Sequence, residues 1–369
     1  MIRRSPVLVG AMLGAIAGAL WVGAHARAAA ARPAMLADCG GRIKTVVMHY
    51  ARGADFVLPV YRAFLAQHSA ALQVYMVCPD RAALDELREK LGPVPPRLVP
   101  VFVDHPITPW SRDRWVTLLP TGDSPRTLLS PLGEKDAAIW PERAGDSRVG
   151  ADLAAAVGVW RAQRSGLYFD GGDFLADGKY LFATRALSER NIQHTLTDHD
   201  QLLRALRQTF AQEPILLDEG PDHHAGMFMM AAGDHRMLVA DPSLARPLFD
   251  PAGSEAAALE GGPDFSSTTQ ERFDSVARAV VACGYSVTRI PVVTPVVGKN
   301  YLTFVNTIID AAPAGPTVYM PAFPGQPRLT AAATAVWSSL GYRVCPIDCS
   351  SVWTKGGTVH CLVNVVERE

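Results

Sequence analysis

Short apolar runs and polar, glycine-containing turns alternate along most of the chain. In four places, two strand-like runs flank one such turn. The four stretches are RWVTLLPTGDSPRTLLSP (114–131), GGDFLADGKYLFATR (171–185), GMFMMAAGDHRMLVADP (226–242) and YLTFVNTIIDAAPAGPTVYMPAF (301–323). Two apolar runs joined by a short polar turn are typical of a β-hairpin. The pattern therefore predicts four hairpins.

Helical patterns lie between the hairpins, and each of them leads into one further strand-like run. These segments are DQLLRALRQTFAQEPILLD (200–218), RFDSVARAVVACGYSVTRIPVV (272–293) and LTAAATAVWSSLGYRVCPID (329–348). In the last two, Gly284 and Gly341 stand just past the helix, where glycine fits a left-handed cap. The repeated unit is therefore strand, strand, helix, strand (ββαβ).

A ββαβ unit cannot bury both of its faces alone, so several units must pack around a common centre. Four or five units fit the 369 residues. The pattern thus predicts an α/β fold, a closed propeller whose turns converge on a central cleft. A doubly wound sheet is the alternative, but that fold alternates single strands with helices and does not account for repeated hairpins.

The N-terminus follows a different plan. An arginine pair precedes an apolar run over residues 7–22, and small residues follow. This arrangement predicts a secretory signal peptide over residues 1–28, cleaved after Ala26 or Ala28. The alternative is an uncleaved anchor helix, but the run is shorter than the roughly 20 apolar residues of a membrane span. We therefore expect export to a periplasm or to the outside, without stable membrane association after cleavage.

Charge and composition narrow the choice of partner. The 35 basic and 36 acidic residues give a formal net charge of −1, so no strong field favours nucleic acid or an anionic membrane. The apolar content of 49% can fill a large core. We expect an N-terminal segment over residues 29–43 and a single domain over residues 44–369.

Candidate chemistry begins near the end of the chain, in GGTVHCLVNVV (356–366). The run alternates like a strand, which predicts that His360 and Cys361 point to opposite faces and do not form a nucleophile–base pair. The glycines at 356 and 357 allow a sharp turn or the close approach of a ligand. From this stretch alone, Cys361 is a nucleophile, one half of a disulfide or a buried thiol, since six cysteines in an exported chain permit disulfides.

A base for Cys361 is available in PDHHAGMFMM (221–230), where His223 and His224 precede an apolar strand. Histidine has the unperturbed pKa best suited to proton transfer near neutrality. A metal site with Asp222 or His235 is the alternative. Adjacent residues of a strand diverge, however, and no helical i, i+4 spacing is present, so we expect no metal.

Acidic residues occur in two further stretches. TPWSRDRWV (108–116) places Asp113 directly before a strand, with Trp110 nearby, and YFDGGDFLADGKYLF (168–182) places Asp170 and Asp173 around two glycines. Acids within otherwise apolar hairpins usually need a partner, such as a histidine or a cationic ligand. The alternatives are a surface ion-pair cluster for the first stretch and an acidic turn for the second.

The stretches that carry Asp113, Asp170, His224 and Cys361, taken in this order, resemble the guanidine-modifying (pentein) superfamily. The resemblance is to its agmatine deiminase and bacterial peptidylarginine deiminase branch in particular. The resemblance runs from about residue 44 to 365 and is strongest in NYLTFVNTIIDAAPAGPTVYMPAFPGQP (300–327) and GGTVHC (356–361). It implies a five-module α/β propeller of ββαβ units and an enzyme that needs no cofactor. The implied ligand is a small guanidinium compound, such as agmatine or arginine, or an arginine-containing peptide.

The resemblance also implies a role for each candidate residue. Cys361 is the nucleophile, His224 the general acid and base, and Asp170 the acid that orients His224. Asp113 grips two nitrogens of the guanidinium, a task that suits a carboxylate because it accepts a forked pair of N–H bonds. Trp110 shapes the pocket. The implied reaction passes through a covalent thiouronium intermediate and releases a ureido product.

One position departs from the family pattern. Most members carry His-x-Asp, whose aspartate also binds the substrate, whereas this chain has His224-Ala225-Gly226. A charge-assisted hydrogen bond contributes roughly 1.5 to 3 kcal/mol, so its loss costs about tenfold to a hundredfold in rate or affinity. Either Asp222 or Asp173 supplies the missing group, or the substrate presents fewer N–H groups there, or the site binds without efficient turnover.

Three functions therefore remain open. The leading one is a secreted cysteine hydrolase of deiminase type, for which Asp113, Asp173 and Trp110 are the expected substrate-binding residues. A non-catalytic pentein binding module and an amidinotransferase are the alternatives.

Overall fold

The computed structural model describes residues 31–135 and 140–369. The predicted signal peptide lies outside the described residues. One compact unit extends from Pro33 to Glu369. No helix within the described ranges is long and apolar enough to cross a membrane.

The secondary structure consists of short strands and mostly short helices. The strands are β1 (Ile43–His49), β2 (Gln73–Cys78), β3 (Arg97–Phe102), β4 (Val116–Leu118), β5 (Thr127–Ser130), β6 (Arg161–Arg164), β7 (Phe174–Ala176), β8 (Tyr180–Thr184), β9 (Glu213–Leu217), β10 (Met229–Ala231), β11 (Arg236–Asp241), β12 (Ser286–Val293), β13 (Leu302–Thr303), β14 (Ile308–Ala312), β15 (Gly315–Ala322), β16 (Arg343–Asp348) and β17 (Val363–Arg368). The α-helices are α1 (Leu58–Leu65), α2 (Arg81–Leu91), α3 (Val149–Val157), α4 (Arg185–Asn191), α5 (His199–Thr209), α6 (Pro242–Ala245), α7 (Ser267–Ala282), α8 (Pro327–Ser339) and α9 (Val359–Leu362).

Local sequence signals account for where the longer helices begin and end. The Asp198 side chain accepts the N–H of Gln201 at the start of α5, and Ser266 accepts the N–H of Thr269 at the start of α7. Such N-caps satisfy backbone donors that a helix leaves free. Gly284 and Gly341 follow α7 and α8 with φ of 89°, the left-handed conformation that was expected of them.

The described residues form five sheets, and four of these contain the same pattern. In each of these four, two antiparallel strands form a hairpin, and a third strand, reached through one or more helices, pairs in parallel with the second. The four are β4–β5–β6, β7–β8–β9, β10–β11–β12 and β14–β15–β16. The predicted ββαβ unit and the α/β propeller are therefore confirmed.

The fifth sheet closes the ring of modules. The last strand, β17, pairs antiparallel with the first strand, β1, with Val365 opposite Val46. On its other side, β1 pairs in parallel with β2, with Val46 opposite Val74. This sheet therefore has the same antiparallel-plus-parallel order as the others, but its first strand comes from the end of the chain, and a further strand, β3, pairs in parallel with β2.

All four predicted hairpins are present, but the fourth differs from its prediction in its first strand. Its partners are β14 and β15, with Ile309 opposite Val318. The run at Leu302–Thr303 instead forms β13, which pairs with β12 of the preceding module. One apolar stretch thus supplies strands to two modules, a division that depends on tertiary pairing rather than on local pattern.

The predicted strand at the end of the chain is also shorter than expected. Residues Val359–Leu362 form a helical turn, and β17 begins only at Val363. The N–H groups of His360 and Cys361 lie 3.1 and 3.4 Å from Asn306 Oδ1, so these residues bond to a side chain instead of a neighbouring strand. The prediction of strand structure at His360 and Cys361 was therefore wrong.

Residues ahead of β1 pack onto the propeller. Leu36 N–H donates to the Thr117 carbonyl and Asp38 N–H to the Ala176 carbonyl, while the Asp38 carboxylate accepts a bond of 3.0 Å from Arg112. Most of the N-terminal segment expected over residues 29–43 is thus part of the same compact unit as the modules.

Candidate active site

One equivalent turn of each module carries a polar or thiol residue of the site. The turn precedes the first strand of the hairpin, that is β4, β7, β10, β14 or β17. The residues on the five turns are Asp113, Asp170, His224, Asn306 and Cys361. The turns that carry Asp170 and His224 contact each other, and the turn of Asp113 contacts those of Asp170 and Cys361. Pseudo-symmetry thus brings residues from distant parts of the chain to one centre.

His224 lies among three carboxylates. Its Nδ1 is 3.6 Å from Asp113 Oδ1, and its Nε2 is 3.4 Å from Asp170 Oδ2 and 3.9 Å from Asp173 Oδ1. Burial lowers the pKa of His224, but the charge of Asp113 and the interactions with Asp170 and the Cys361 thiol outweigh it and raise that pKa well above its usual value. The imidazole therefore holds a proton at neutral pH.

The two glycines after Asp170 are required because neighbouring groups lie very close to their α-carbons. A β-carbon on Gly172 would lie 2.6 Å from Nδ1 of His224, and one on Gly171 would lie 2.2 Å from the carbonyl oxygen of Arg112. Neither position has room for a side chain. The glycines therefore allow the His224 ring to pack directly on the turn that carries Asp170.

Asp170 is held as a charged group by two arginines. Its Oδ1 is 2.6 Å from Arg143 Nη2, and its Oδ2 is 2.6 Å from Arg190 Nη2. Burial raises the pKa of Asp170, but Arg190, His224 and Arg143 hold it well below the usual value. Asp170 is thus a fixed anion beside the His224 ring.

Asp173 lies deeper than Asp170. It is fully buried, its Oδ2 accepts the backbone N–H of Asp170 at 2.9 Å, and the same oxygen pairs with Arg190. Its Oδ1 lies 3.4 Å from the Thr184 hydroxyl. Both oxygens are thus engaged with the protein, which suits the support of the Asp170 turn better than contact with a ligand.

Asp113 is a buried carboxylate that retains acceptor capacity. Its Oδ1 has no hydrogen-bond partner among the described residues, and its Oδ2 is 3.9 Å from Arg114. Burial raises the pKa of Asp113, while His224 opposes this rise and a nearby carboxylate, Asp170, adds to it. A planar cation that donates N–H bonds would satisfy the free oxygen and stabilise the charged form.

Cys361 lies beside this group and is 4% exposed. A β-carbon on Gly357 would lie 3.1 Å from Cys361 Sγ and 2.7 Å from the Trp110 ring, so the glycine lets both residues approach the turn. All six cysteines fall within the described ranges, and none is paired in a disulfide. Cys361 is therefore a free thiol.

The neighbouring histidines have structural partners of their own. His360 Nε2 lies 3.3 Å from Asp38 Oδ1. His223 is buried, with Nε2 2.9 Å from the Lys299 carbonyl and Nδ1 accepting the backbone N–H of His224. His223 thus orients the backbone at His224 and is not a second base.

The space at Gly226 is bordered by two polar atoms. A β-carbon there would lie 3.1 Å from His360 Nδ1 and 3.2 Å from Asn306 Nδ2. The alternative acid Asp222 pairs with Lys299 at 3.0 Å, and its side chain is 44% exposed. No carboxylate of the described residues is among the atoms nearest to this point.

A cleft of about 780 Å³ opens beside the site. Trp110 and Arg143 line it together with Phe56, Trp140 and Lys355. The Trp110 ring also packs at 6.4 Å from that of Phe56. Arg143 contacts Asp170, and Trp110 lies next to the Cys361 turn, so two direct neighbours of the site line this cleft.

The site also has the spacing of a possible cation site. Asp113, Asp170 and His224 each offer a donor atom, and these atoms lie within 4.8 Å of one another. The charges of Arg143 and Arg190 on Asp170 and the proton held by His224 all oppose a metal ion. The arrangement suits an organic cation that meets Asp113 better.

Sequence reasoning missed three contributors. Arg143 and Arg190 occur in a polar loop and on a polar helix face, where nothing local marks them as partners of Asp170. Asn306 had a detectable signal, since it is a polar residue in the apolar run YLTFVNTII (301–309), and buried polar groups need partners. Its Oδ1 binds the turn that carries Cys361.

Solved structures share this fold. The C. jejuni agmatine deiminase matches with a TM-score of 0.65 at 12% identity, over 91% of this chain and 96% of its own. The agmatine deiminase of Enterococcus faecalis gives the same four values. A protein provisionally assigned as a peptidyl-arginine deiminase matches with a TM-score of 0.67 at 14% identity, over 90% of this chain and 98% of its own.

At these identities the likeness shows a common fold. It confirms the expected pentein-type α/β propeller. Neither a protein-family model nor a curated protein sequence matches the chain.

Proposed function

We propose that this protein is a cysteine-dependent hydrolase that cleaves a C–N bond of a guanidinium or amidinium group. The observation that carries the proposal is the buried Asp113 Oδ1, which has no hydrogen-bond partner among the described residues and lies beside the His224 ring. A free acceptor next to an acid and a thiol suits a substrate that is both a planar N–H donor and an electrophile. The names of structural neighbours refer to agmatine, arginine and peptidyl-arginine, so these are the substrates to test.

The reaction assigns one step to each group. The Cys361 thiolate adds to the central carbon of the guanidinium held by Asp113, giving a tetrahedral adduct. His224 donates its proton to the departing nitrogen, which leaves as ammonia or an amine, and a thiouronium remains on Cys361. Water, deprotonated by His224, then adds to that carbon, and breakdown releases the ureido product and restores the thiolate.

The charges of the site support these roles. His224 is the acid because Asp113 and Asp170 raise its pKa and keep it protonated before attack. Asp170 is the positioning carboxylate, since Arg143 and Arg190 fix both of its oxygens. The bound cation favours the thiolate, as nearby positive charge does elsewhere. No step requires a cofactor.

The surroundings of Gly226 bear on the substrate. Asn306 Oδ1 accepts bonds from the Thr358 hydroxyl and from the N–H groups of His360 and Cys361, so the amide nitrogen is the atom that faces Gly226. Burial lowers the pKa of His360, and its Nε2–H donates to Asp38, which leaves Nδ1 as an acceptor. One acceptor and one donor border this point, so we propose a substrate that presents fewer N–H groups there.

We also propose that the protein is exported, on the support of the signal-like sequence ahead of residue 29. The thiol of Cys361 must then stay reduced outside the cytoplasm. Its 4% exposure and the absence of a second cysteine bonded to it suit that requirement.

Product analysis tests the hydrolase proposal. The protein is incubated with arginine, agmatine and a blocked arginine peptide, and ureido product and ammonia are measured. We expect ureido product from at least one substrate without an added amine. Turnover only in the presence of an amine acceptor would instead identify an amidinotransferase, and no product from any of these would favour a binding module.

Restoring the missing carboxylate tests the interpretation of Gly226. Gly226→Asp should raise kcat/KM for an unsubstituted guanidinium by about tenfold to a hundredfold over Gly226→Ala, because a charge-assisted bond is worth about 1.5 to 3 kcal/mol. Both variants place a β-carbon against His360 and Asn306, so their ratio isolates the carboxylate. Equal activity of the two variants would contradict the interpretation.

A further inference from the structure

A small enclosed cavity lies next to the candidate active site and is not part of it. Its volume is about 10 Å³, and its polar lining comes from Asp38, Arg112, Thr117, Thr307, His360 and Arg368. This volume holds about one water molecule or one ion of similar size. The cavity borders the Asp38 side of His360, whereas Nδ1 of that ring faces Gly226.

Four buried polar atoms of the lining residues have no hydrogen-bond partner among the described residues. They are Nε of Arg112, Nε of Arg368 and the hydroxyl oxygens of Thr117 and Thr307. Thr117 is 2% exposed, Thr307 1% and Arg112 5%. Buried polar groups are nearly always satisfied, so a cluster of four unsatisfied ones around one cavity indicates a bound species. Two of the four can only donate, and the hydroxyls can also donate.

The charges of the lining do not cancel. Among the described residues that line the cavity, Arg112 and Arg368 are cationic and Asp38 is the one carboxylate. The Arg112 charge and the His360 bond outweigh burial and lower the pKa of Asp38 to about 2, so it is charged, while burial lowers the pKa of His360 and keeps that ring neutral. The lining residues thus carry a net charge of about +1.

The oxygens of Asp38 are already engaged. Oδ1 accepts a bond from Arg112 Nη2 at 3.0 Å and lies 3.3 Å from His360 Nε2, and Oδ2 accepts the Ala176 N–H at 2.9 Å. Asp310 also attracts Arg368, but it lies outside the cavity lining and accepts the N–H of Ile43 at 2.9 Å. The second arginine charge therefore lacks a counter-charge inside the cavity.

We propose that this cavity binds a small monovalent anion, of the size of chloride. The anion would accept bonds from the two Nε–H groups and the two hydroxyls and would neutralise the excess charge. Uncompensated buried charge is strongly unfavourable, so occupancy stabilises the fold. Arg112 precedes Asp113 and His360 precedes Cys361, so the anion fixes the neighbours of two active-site residues.

Bromide is used in place of chloride, because its anomalous signal locates the anion. Crystals of the protein grown with sodium bromide should show an anomalous peak within hydrogen-bond distance of Arg112 Nε and Thr117 Oγ1. A peak confined to the protein surface, or density at the cavity without anomalous signal, would mean that water fills the site and would overturn the proposal.

Stability in solution gives a second readout. At equal ionic strength, the unfolding temperature should be higher in sodium chloride than in sodium gluconate, whose anion is too large to enter. Thr117→Val with Thr307→Val should remove most of this difference, because the change keeps the side-chain volume and deletes both hydroxyls. Thr268→Val, at an exposed threonine, is the matched control and should retain it. Loss of the difference in unfolding temperature between the two salts in Thr268→Val, or its retention in the double variant, would refute the anion site.

Discussion

Cys361→Ser is expected to abolish covalent labelling by a haloacetamidine and to reduce ureido formation by about a thousandfold or more. The serine hydroxyl is not ionised near neutrality, whereas the thiol loses its proton readily beside a cation. The substitution is nearly isosteric, and Gly357, whose β-carbon would lie 3.1 Å from Sγ, leaves room for it. Mass spectrometry of the intact protein measures the label, and ammonia release measures turnover.

The matched control is Cys283→Ser. Cys283 is the only half-buried cysteine among the six, which makes it the most accessible competing thiol, and it follows α7. This variant should be labelled at the wild-type rate. Undiminished labelling of Cys361→Ser, or its loss in Cys283→Ser, would show that the reactive thiol is not at the proposed site.

Asp113→Asn should reduce the rate of haloacetamidine labelling by about a hundredfold. The amide keeps one acceptor but loses the charge that strengthens two bonds to the amidinium, each worth about 1.5 to 3 kcal/mol when charged. Iodoacetamide, a neutral reagent, separates recognition from thiol reactivity. The ratio of the haloacetamidine rate to the iodoacetamide rate should fall by about the same hundredfold. An unchanged ratio would show that Asp113 does not bind the cation.

The same variant has a consequence for His224. The charge of Asp113 is the largest of the influences that raise the pKa of His224, so Asp113→Asn should lower that pKa in an NMR titration. A raised histidine pKa contributes stability that is complete below the unfolded value near 6.5 and is lost as the pH rises through the folded value. Asp113→Asn should therefore lose stability mainly where both groups are charged, that is, above the pKa of Asp113, which burial raises, and below the raised pKa of His224.

Much of the fold was predictable because its signals are local. The hairpin turns, the helix caps and the glycines at 284 and 341 act over a few residues, and the repeat of one unit implies a closed arrangement. What was missed depends on distant partners. The turn at Val359–Leu362 forms where Asn306, more than 50 positions earlier, accepts its N–H groups. The separate strand β13 likewise exists through its pairing with β12.

The candidate site likewise contains residues that the sequence identified and residues that it did not. Residue chemistry and the family resemblance selected Asp113, Asp170, His224 and Cys361, and the structure brings these four side chains together. The residues that tune them were hidden, since Arg143 and Arg190 pair with Asp170 only after folding. Residue chemistry did not separate Asp170 from Asp173 either, because burial and hydrogen bonding, rather than residue type, distinguish them.

The pairing of β1 with β17 closes the ring of modules and also bears on the position of Cys361. Cys361 lies two residues before β17, and His224 lies on the turn before β10, in a module from the middle of the chain. The pairing of β17 with β1 therefore anchors the segment that carries the thiol to the ring that carries the imidazole. A substitution that weakens this pairing, far from the reacting groups, is expected to lower activity without altering any side chain of the site.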